Sequence, residues 1–185
     1  MARATRGAGA PGRPRESSPA PPAPDRAPYG DTVTSLNEDH REEPPARGQF
    51  GPEATVEIDP RRVRGARCTY APEHDGEPDP GEVVWTWVPY EENDGRGKDR
   101  PVLVVAHEDG PGLLALQLTS RPRENDHEWF SLGTGPWDRQ GRESWVDLDR
   151  VLRIHPQGMR REACALDRAR FQAVAHRLQQ LYGWS

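Results

Sequence analysis

The chain has 185 residues, six histidines, two cysteines and a formal net charge of −5. This length allows one ordinary domain plus additional segments. Cys68 and Cys164 lie far apart without a CxxC pair, and no histidines form HxxxH or HxH, which argues against a disulfide framework and a metal site. No apolar run is long enough for a signal peptide or a membrane helix, so we expect a cytoplasmic protein with reduced thiols.

The two ends of the chain differ in composition. Fourteen of the 20 prolines fall within the first 80 residues, whereas all six tryptophans follow them. A proline-rich segment with few apolar side chains cannot bury enough surface to offset the entropy lost on ordering. We therefore predict a disordered tail over residues 1–51, an extended lead-in segment or linker over residues 52–79, and one folded domain over residues 80–185.

Most of the predicted elements are short strands. Val56 and Ile58 alternate with polar residues, which allows an edge strand inside the lead-in segment. Runs of apolar and β-branched residues predict further strands over residues 82–88, 101–107, 113–120, 128–132 and 144–154. We expect the last of these strands to bend or divide near Asp149.

One helix is predicted after these strands. Asp167 is a good N-cap, Gly183 ends the pattern, and apolar residues recur between them at spacings of three and four: Phe171, Val174, Ala175, Leu178, Leu181 and Tyr182. Short strands followed by one amphipathic helix predict a mainly β domain, a small β-barrel with the helix packed across an open side.

Arg100 is the first candidate functional residue. It precedes Pro101, which favours an extended backbone and fixes the direction in which the side chain leaves the strand. A guanidinium held in this way can clamp a phosphate or stabilise charge in phosphoryl transfer. The structural alternative is a surface salt bridge to Asp99 or Glu92.

Thr119 and Ser120 are the second candidates. The alternation along residues 113–120 places the leucines on one side of the strand and Thr119 on the other, more polar side. Either hydroxyl can donate to a phosphate oxygen, and the structural alternative is a hydroxyl that caps the strand end. Trp129 and Trp137 lie near loops, where they can stack on exposed bases or simply belong to the core.

The charge of the domain argues against RNA binding. Residues 80–185 contain 14 Lys and Arg against 16 Asp and Glu, which is not the basic footprint of a protein that binds nucleic acid through its phosphates. Local patches, Arg96, Lys98 and Arg100 in one place and Arg121 and Arg123 in another, can still make a positive groove on a neutral body.

Four sequence pieces occur in an order that resembles the PemK/MazF family of toxin ribonucleases. They are GEVVW at residues 81–85, RPVLVV at residues 100–105, LQLTS at residues 116–120 and VDLDRV at residues 146–151. The resemblance covers roughly residues 80–181. It implies a compact SH3-like barrel, usually a homodimer, that cleaves single-stranded RNA such as mRNA by attack of the ribose 2′-hydroxyl on the adjacent phosphate, with no metal and no cofactor.

The resemblance also implies roles for residues and a partner. Arg100 would stabilise the phosphorane or protonate the leaving group, and Thr119 would hold the phosphate, with Ser120 and Glu92 in support. The family's loop glutamate has Glu92 as its candidate counterpart, although Gly95 stands nearer the expected spacing. The candidates for RNA contact are Arg96, Lys98, Gln117 and Arg121. The partner would be an antitoxin protein whose disordered segment occupies the RNA groove.

Two other functions compete with cleavage. The chain is a non-catalytic module for nucleic acid or protein if it retains the barrel without the activity, as the near-neutral charge and the uncertain glutamate suggest. Alternatively, an SH3-like domain docks its own proline-rich tail, given the PAPPAP run at residues 19–24.

Overall fold

Seven strands and one C-terminal α-helix make up the part of the chain that the computed structural model describes, residues 45–73, 75–108, 110–124 and 126–185, with only the backbone of residues 161–163. The tail over residues 1–44, and with it the PAPPAP run, lies outside the described residues. The domain boundaries drawn from the sequence therefore stay a prediction.

The strands form one antiparallel sheet. They are β1 (Val56–Ile58), β2 (Glu82–Pro89), β3 (Gly97–His107), β4 (Leu113–Thr119), β5 (Trp129–Gly133), β6 (Ser144–Ile154) and β7 (Met159–Ala165). Their order is β1-β6-β4-β3-β2-β7, and β5 also pairs with β6. Among the described strands, β1 and β7 lie at the two ends of this order and do not pair with each other, so the sheet is not closed. The class is nevertheless the predicted one, mostly antiparallel sheet with a C-terminal helix α1 (Arg168–Tyr182).

The apolar strands lie where the sequence predicts them, including the short β1 of the lead-in segment. Strand β3 begins earlier than predicted, at Gly97, because the backbone of its polar start pairs with the end of β2. Strand β7 was not predicted at all. Its sequence, MRREACA, lacks an apolar alternation, and it is held in place by backbone pairing with β2.

Strand β6 is irregular at the predicted place. Leu116 pairs with Val151 and Leu118 with Val146, so the two-residue step along β4 faces a five-residue step along β6. The Asp147 carboxylate stabilises the bulge by accepting from the backbone N–H groups of Asp149 at 3.2 Å and Arg150 at 3.3 Å. Before the bulge β6 pairs with β5, and after it with β1.

The sheet is apolar on both faces. One face packs against the buried helix residues Phe171, Val174 and Leu178. The other face forms a second cluster of buried side chains: Val84, Val88, Val102, Val104, Leu113, Ala115, Leu152, Ile154 and Met159. Near-continuous apolar runs in the central strands follow from this burial on both sides.

Helix α1 begins and ends as predicted. The Asp167 side chain accepts from the backbone N–H of Arg170 at 3.0 Å, and Gly183 adopts a φ of 73°, a left-handed conformation that glycine takes without steric cost. One residue of the apolar pattern is wrong, because Leu181 is 48% exposed rather than packed on the sheet. Among the described helices, none is long and apolar enough to cross a membrane.

Candidate functional site

A cleft of about 800 Å³ opens where β3 begins and β4 ends. Its walls come from β2, β3, β4, β7 and the loop between β5 and β6. Five cationic side chains line it, and we call it the basic cleft after them: Lys98, Arg100, Arg139, Arg142 and Arg160.

Arg100 and Thr119 both line the basic cleft, on the neighbouring strands β3 and β4. Each lies two residues beyond the paired residues Val102 and Gln117. The β3–β4 pairing ends there, and alternation along each strand puts Arg100 on the face of Val102 and Thr119 on the face of Gln117, which is the same face of the sheet. The structure thus brings together the two residues that the sequence singles out, while their catalytic roles stay a prediction.

The Arg100 guanidinium makes no hydrogen bond or ion pair with another described residue. Asp99, which also lines the cleft, pairs with Arg160 of β7, with 3.1 Å between Oδ2 and Nε. The salt bridge from Arg100 to Asp99 that the sequence allowed is therefore not formed, and the N–H groups of Arg100 remain available to a ligand.

Thr119 and Ser120 are half-buried beside Arg100. Thr119 Oγ1 accepts a hydrogen bond from the backbone N–H of Arg121 at 3.2 Å, so this hydroxyl does cap the strand end. Because a hydroxyl both accepts and donates, its O–H can still donate to a phosphate oxygen in the cleft. Capping and ligand binding are compatible at Thr119.

The cleft is far more basic than the chain around it. Its lining holds five cationic side chains against two carboxylates, a net charge of +3, whereas the whole chain carries −5. Arg142 pairs with Asp138 at 2.9 Å and Arg160 with Asp99. A concave surface with an excess of positive charge concentrates anions, so the chain carries a local basic patch although its overall charge is negative.

Sequence reasoning missed Arg139, Arg142 and Arg160. The first two lie in the loop between β5 and β6, and the third lies on β7, so they are 39 to 60 positions away from Arg100 along the chain. The nearest sequence signal was the DRQGR run of that loop, a turn with two arginines beside a glycine.

Four other predicted residues lie outside the lining of the basic cleft. Glu92 is exposed in the loop between β2 and β3, and Arg96 in the same loop pairs with Asp94 at 2.8 Å. Hydrogen bonds from Arg96 lower the pKa of Asp94. Arg121 is exposed, and its described bond is the one that its backbone gives to Thr119. Gln117, the fourth, is buried.

Gln117 belongs to a buried polar cluster with Asp147 and Arg150. Its Nε2 donates to Asp147 Oδ2 at 3.1 Å, and its Oε1 accepts from Arg150 Nη1 at 3.4 Å. Burial raises the pKa of Asp147, while the hydrogen bonds from Gln117 and from the backbone of β6 act in the opposite direction. Both ends of the Gln117 amide are occupied within the protein, which makes contact with RNA unnecessary to explain its polarity.

The aromatic residues near the cleft have different environments. Trp137 is 6% exposed and its Nε1 donates to Ser144 Oγ at 3.0 Å, so it belongs to the core. One face of Trp129 is covered by the Arg123 guanidinium, 4.5 Å from the ring centroid. Trp85 lines the cleft half-buried, with the Arg160 guanidinium 5.6 Å from its ring centroid.

The cleft contains one thiol. Burial, with a smaller contribution from the Glu82 charge, raises the pKa of Cys164. Burial also raises the pKa of Cys68 to about 11. Both thiols therefore stay protonated near neutral pH, which does not suit a nucleophile.

The family profile for the PemK-like, MazF-like toxin of type II toxin–antitoxin systems matches residues 79–182, more than half of the chain. Two crystal structures of MazE–MazF from Deinococcus radiodurans are similar to it. Form II is 25% identical, covers 58% of this chain and 97% of that chain, and gives a TM-score of 0.43. Form III is 23% identical, covers 58% and 98%, and gives 0.41. No curated protein matches the chain. The resemblance stated from four short pieces is confirmed by the profile, and the chain belongs to the PemK-like, MazF-like family of type II toxins.

Proposed function

We propose that this protein is the toxin of a type II toxin–antitoxin system and that it cleaves single-stranded RNA, mRNA above all, without a metal ion. The observation that carries the proposal is that Arg100 and Thr119 line the same cleft, whose net charge is +3. Its substrate would place the protein in the cytoplasm.

In the proposed reaction the ribose 2′-oxygen attacks the adjacent phosphorus, and the bond from phosphorus to the 5′-oxygen breaks. The 2′-hydroxyl gives up its proton and the departing 5′-oxygen gains one, so the products carry a 2′,3′-cyclic phosphate and a 5′-hydroxyl. Negative charge develops on the non-bridging oxygens of the phosphorane, and donors aimed at those oxygens lower the barrier.

Arg100 is the main donor in this proposal. Its guanidinium presents two parallel N–H groups to a pair of phosphate oxygens, and the Thr119 hydroxyl donates to one of them from the opposite strand, with Ser120 beside it. The planar guanidinium matches a pair of phosphate oxygens, so charge stabilisation, rather than proton donation, is the role that we propose for Arg100. Glu92 is given no proton-transfer role, because it lies outside the cleft lining.

The other cations of the cleft would bind the flanking nucleotides. Lys98 continues the line of Arg100 along β3, while Arg139, Arg142 and Arg160 lie on the other elements that form the walls. Phosphate contacts supply affinity without sequence information and weaken as salt rises. Trp85 offers a half-buried indole for stacking on a base.

The test uses purified full-length protein in EDTA with a long single-stranded RNA and with DNA of the same sequence. We expect the RNA to be cut to ends with 2′,3′-cyclic phosphates and the DNA to stay intact, since DNA lacks the attacking hydroxyl. Folded protein that leaves RNAs of varied sequence whole, or that cuts only with added Mg²⁺, contradicts the proposal.

We also propose a cognate antitoxin and a homodimer. The two Deinococcus structures contain MazF together with MazE, and a cleft of positive charge suits an acidic antitoxin segment that competes with RNA. A small acidic reading frame beside the toxin gene should relieve growth arrest when it is co-expressed. Light scattering should give twice the mass of one chain.

A second candidate function is binding without cleavage. It is favoured by one observation, the position of Glu92 outside the basic cleft, which leaves the cleft lining without the family's loop carboxylate. Tight RNA binding with no products, unaffected by Thr119→Ala, would select this alternative over the nuclease.

A further inference from the structure

Arg150 connects three separate parts of the chain. Its Nε donates to Glu57 Oε2 of β1 at 2.6 Å, and its Nη2 donates to the carbonyl oxygen of Pro89 at the end of β2, also at 2.6 Å. Its Nη1 donates to Gln117 Oε1 of β4 at 3.4 Å. The side chain is only 9% exposed, so these acceptors replace the water that a guanidinium would otherwise bind.

The bulge in β6 is what brings Arg150 into this position. Asp147 accepts from the backbone N–H of Arg150, which lies within the extra residues of the bulge, out of the regular register with β4. Bulges re-aim side chains in this way. A planar guanidinium can donate to three acceptors at once in fixed directions, which the single ammonium of lysine cannot reproduce.

Pro89 is the point at which Arg150 holds the hairpin that carries Arg100. It pairs with Gly97, the first residue of β3. This base of the hairpin is tight, because a Cβ on Gly97 would lie 2.5 Å from the Val88 carbonyl oxygen and 2.7 Å from Trp87 Nε1. A displacement of Pro89 is therefore passed to Gly97 and to the start of β3, three residues before Arg100.

Glu57, at the other end of the connection, lies outside the part of the chain that the family profile matches, residues 79–182. The side chain of Glu57 is 44% exposed, and its carboxylate pairs with Arg150 through the hydrogen bond already given. β1 itself pairs with β6, through Glu57 opposite Leu152, so the carboxylate is anchored to a regular ladder.

We propose that Arg150 is a positioning residue for cleavage: by bonding Glu57 and the Pro89 carbonyl, it makes the placement of Arg100 depend on a lead-in strand that the family profile does not include. This inference rests on the proposed nuclease function. It assigns to the lead-in segment a part in activity, although none of its residues lines the basic cleft.

The experiment compares Glu57→Ala with Glu57→Gln and with the control Glu53→Ala. Glu53 is an exposed glutamate of the same lead-in segment whose side chain makes no described hydrogen bond or ion pair. We measure RNA cleavage as kcat and KM, and hydrogen exchange of the backbone amides of residues 90–100 in each full-length variant. Exchange needs no activity, so it reports on the connection even if the protein cuts nothing.

For Glu57→Ala we expect faster exchange at the hairpin base and a kcat lower by about three- to tenfold with KM changed less than twofold, because misplacing a catalytic group slows the chemical step. Glu57→Gln keeps an acceptor for Arg150 Nε and should restore most of both values, and Glu53→Ala should match the parent protein. Unchanged exchange in Glu57→Ala, or faster exchange without a lower kcat, overturns the proposal. Absence of RNA cleavage by the parent protein defeats the nuclease function instead.

Discussion

Gln117 and Thr119 lie two residues apart on the same face of β4, yet their surroundings differ completely. Gln117 is 7% exposed, and its amide is used by Asp147 and Arg150 at both ends. Thr119 is half-buried, has one bond to a backbone N–H, and faces the basic cleft beside an Arg100 whose guanidinium has no described partner. Polar residues on that face therefore serve two purposes. The Gln117 amide is hydrogen-bonded at both ends within the protein, whereas Thr119 can still donate a hydrogen bond to a ligand.

Hydrogen-bond partners distinguish structural residues from ligand-binding residues across the whole site. A buried polar group that is satisfied within the protein contributes to stability and specificity of the fold, whereas a partly exposed donor without a partner is available to a substrate. Arg100 and Arg150 show the same contrast: Arg100 has no described partner for its guanidinium, whereas Arg150 has three. Substitution of a residue that is available to a ligand should change the rate of cleavage, whereas substitution of a residue that is hydrogen-bonded within the protein should change the free energy of unfolding.

The largest expected effect is that of Arg100→Ala. We expect kcat for RNA cleavage to fall about 10²- to 10³-fold, as when a main oxyanion donor is removed, with little change in the midpoint of thermal unfolding. Arg100→Lys should recover only part of the rate, because lysine lacks the planar fork. Arg62→Ala, at an arginine 88% exposed in its side chain and outside the cleft, is the control. Full activity of Arg100→Ala would place the chemistry elsewhere.

Gln117→Leu should act on stability. It leaves Asp147 Oδ2 and Arg150 Nη1 without their described partner in a buried site, which should lower the free energy of unfolding by about 1–3 kcal/mol in urea titrations. We expect KM for RNA to stay the same. A raised KM with unchanged stability would instead return Gln117 to the RNA-contacting residues that the sequence suggested.

Thr119→Val should have a smaller effect, and on kcat rather than on stability. The substitution keeps the size of the side chain and removes the hydroxyl, so we expect kcat to fall about tenfold, equivalent to ~1.4 kcal/mol of transition-state stabilisation. Unfolding should change little, since the bond lost to the Arg121 N–H is exposed. Equal losses of stability in Thr119→Val and Gln117→Leu would erase the distinction between the two residues.

The smallest effect concerns pH and Asp147. Burial raises the pKa of this carboxyl in the folded protein above its ordinary value of 3.8. The folded state then holds the proton more tightly than the unfolded state, so Asp147 costs stability as pH rises from about 3.8 through the folded pKa, and less below it. The stability of Asp147→Asn relative to the parent should therefore increase with pH across that window. A difference independent of pH in denaturant titrations would contradict the raised pKa.

Much of the fold could be predicted from the sequence because burial on both faces produces apolar runs. β2, β4 and β6 are such runs, and α1 follows from a cap, a spacing and a stop. β7 could not be predicted, since its stability comes from backbone pairing with β2 and its side chains show no pattern. Spacing alone assigns Leu181 to the core, but Leu181 is 48% exposed, whereas the adjacent Tyr182 packs against the core.

The candidate site was predicted only in part. Arg100 and Thr119 follow from an X-Pro step and from strand alternation, both local rules. The rest of the basic cleft comes from a loop and an edge strand distant in sequence, and no local pattern announces that they meet. The buried environment of Gln117 could not be foreseen either, because the bulge that supplies its partners Asp147 and Arg150 depends on tertiary pairing.

The strands differ in how many neighbours they pair with, and this difference has a consequence for local unfolding. β6 is joined to β1, β4 and β5, whereas β7, like β1 and β5, has one described neighbour in the sheet, which for β7 is β2. Local opening of β7 would separate Arg160 from Asp99 and leave an unpaired carboxylate in the lining of the basic cleft. The electrostatic attraction of the basic cleft for anions would then fall whenever β7 opens, even while β6 stays paired with its three neighbours.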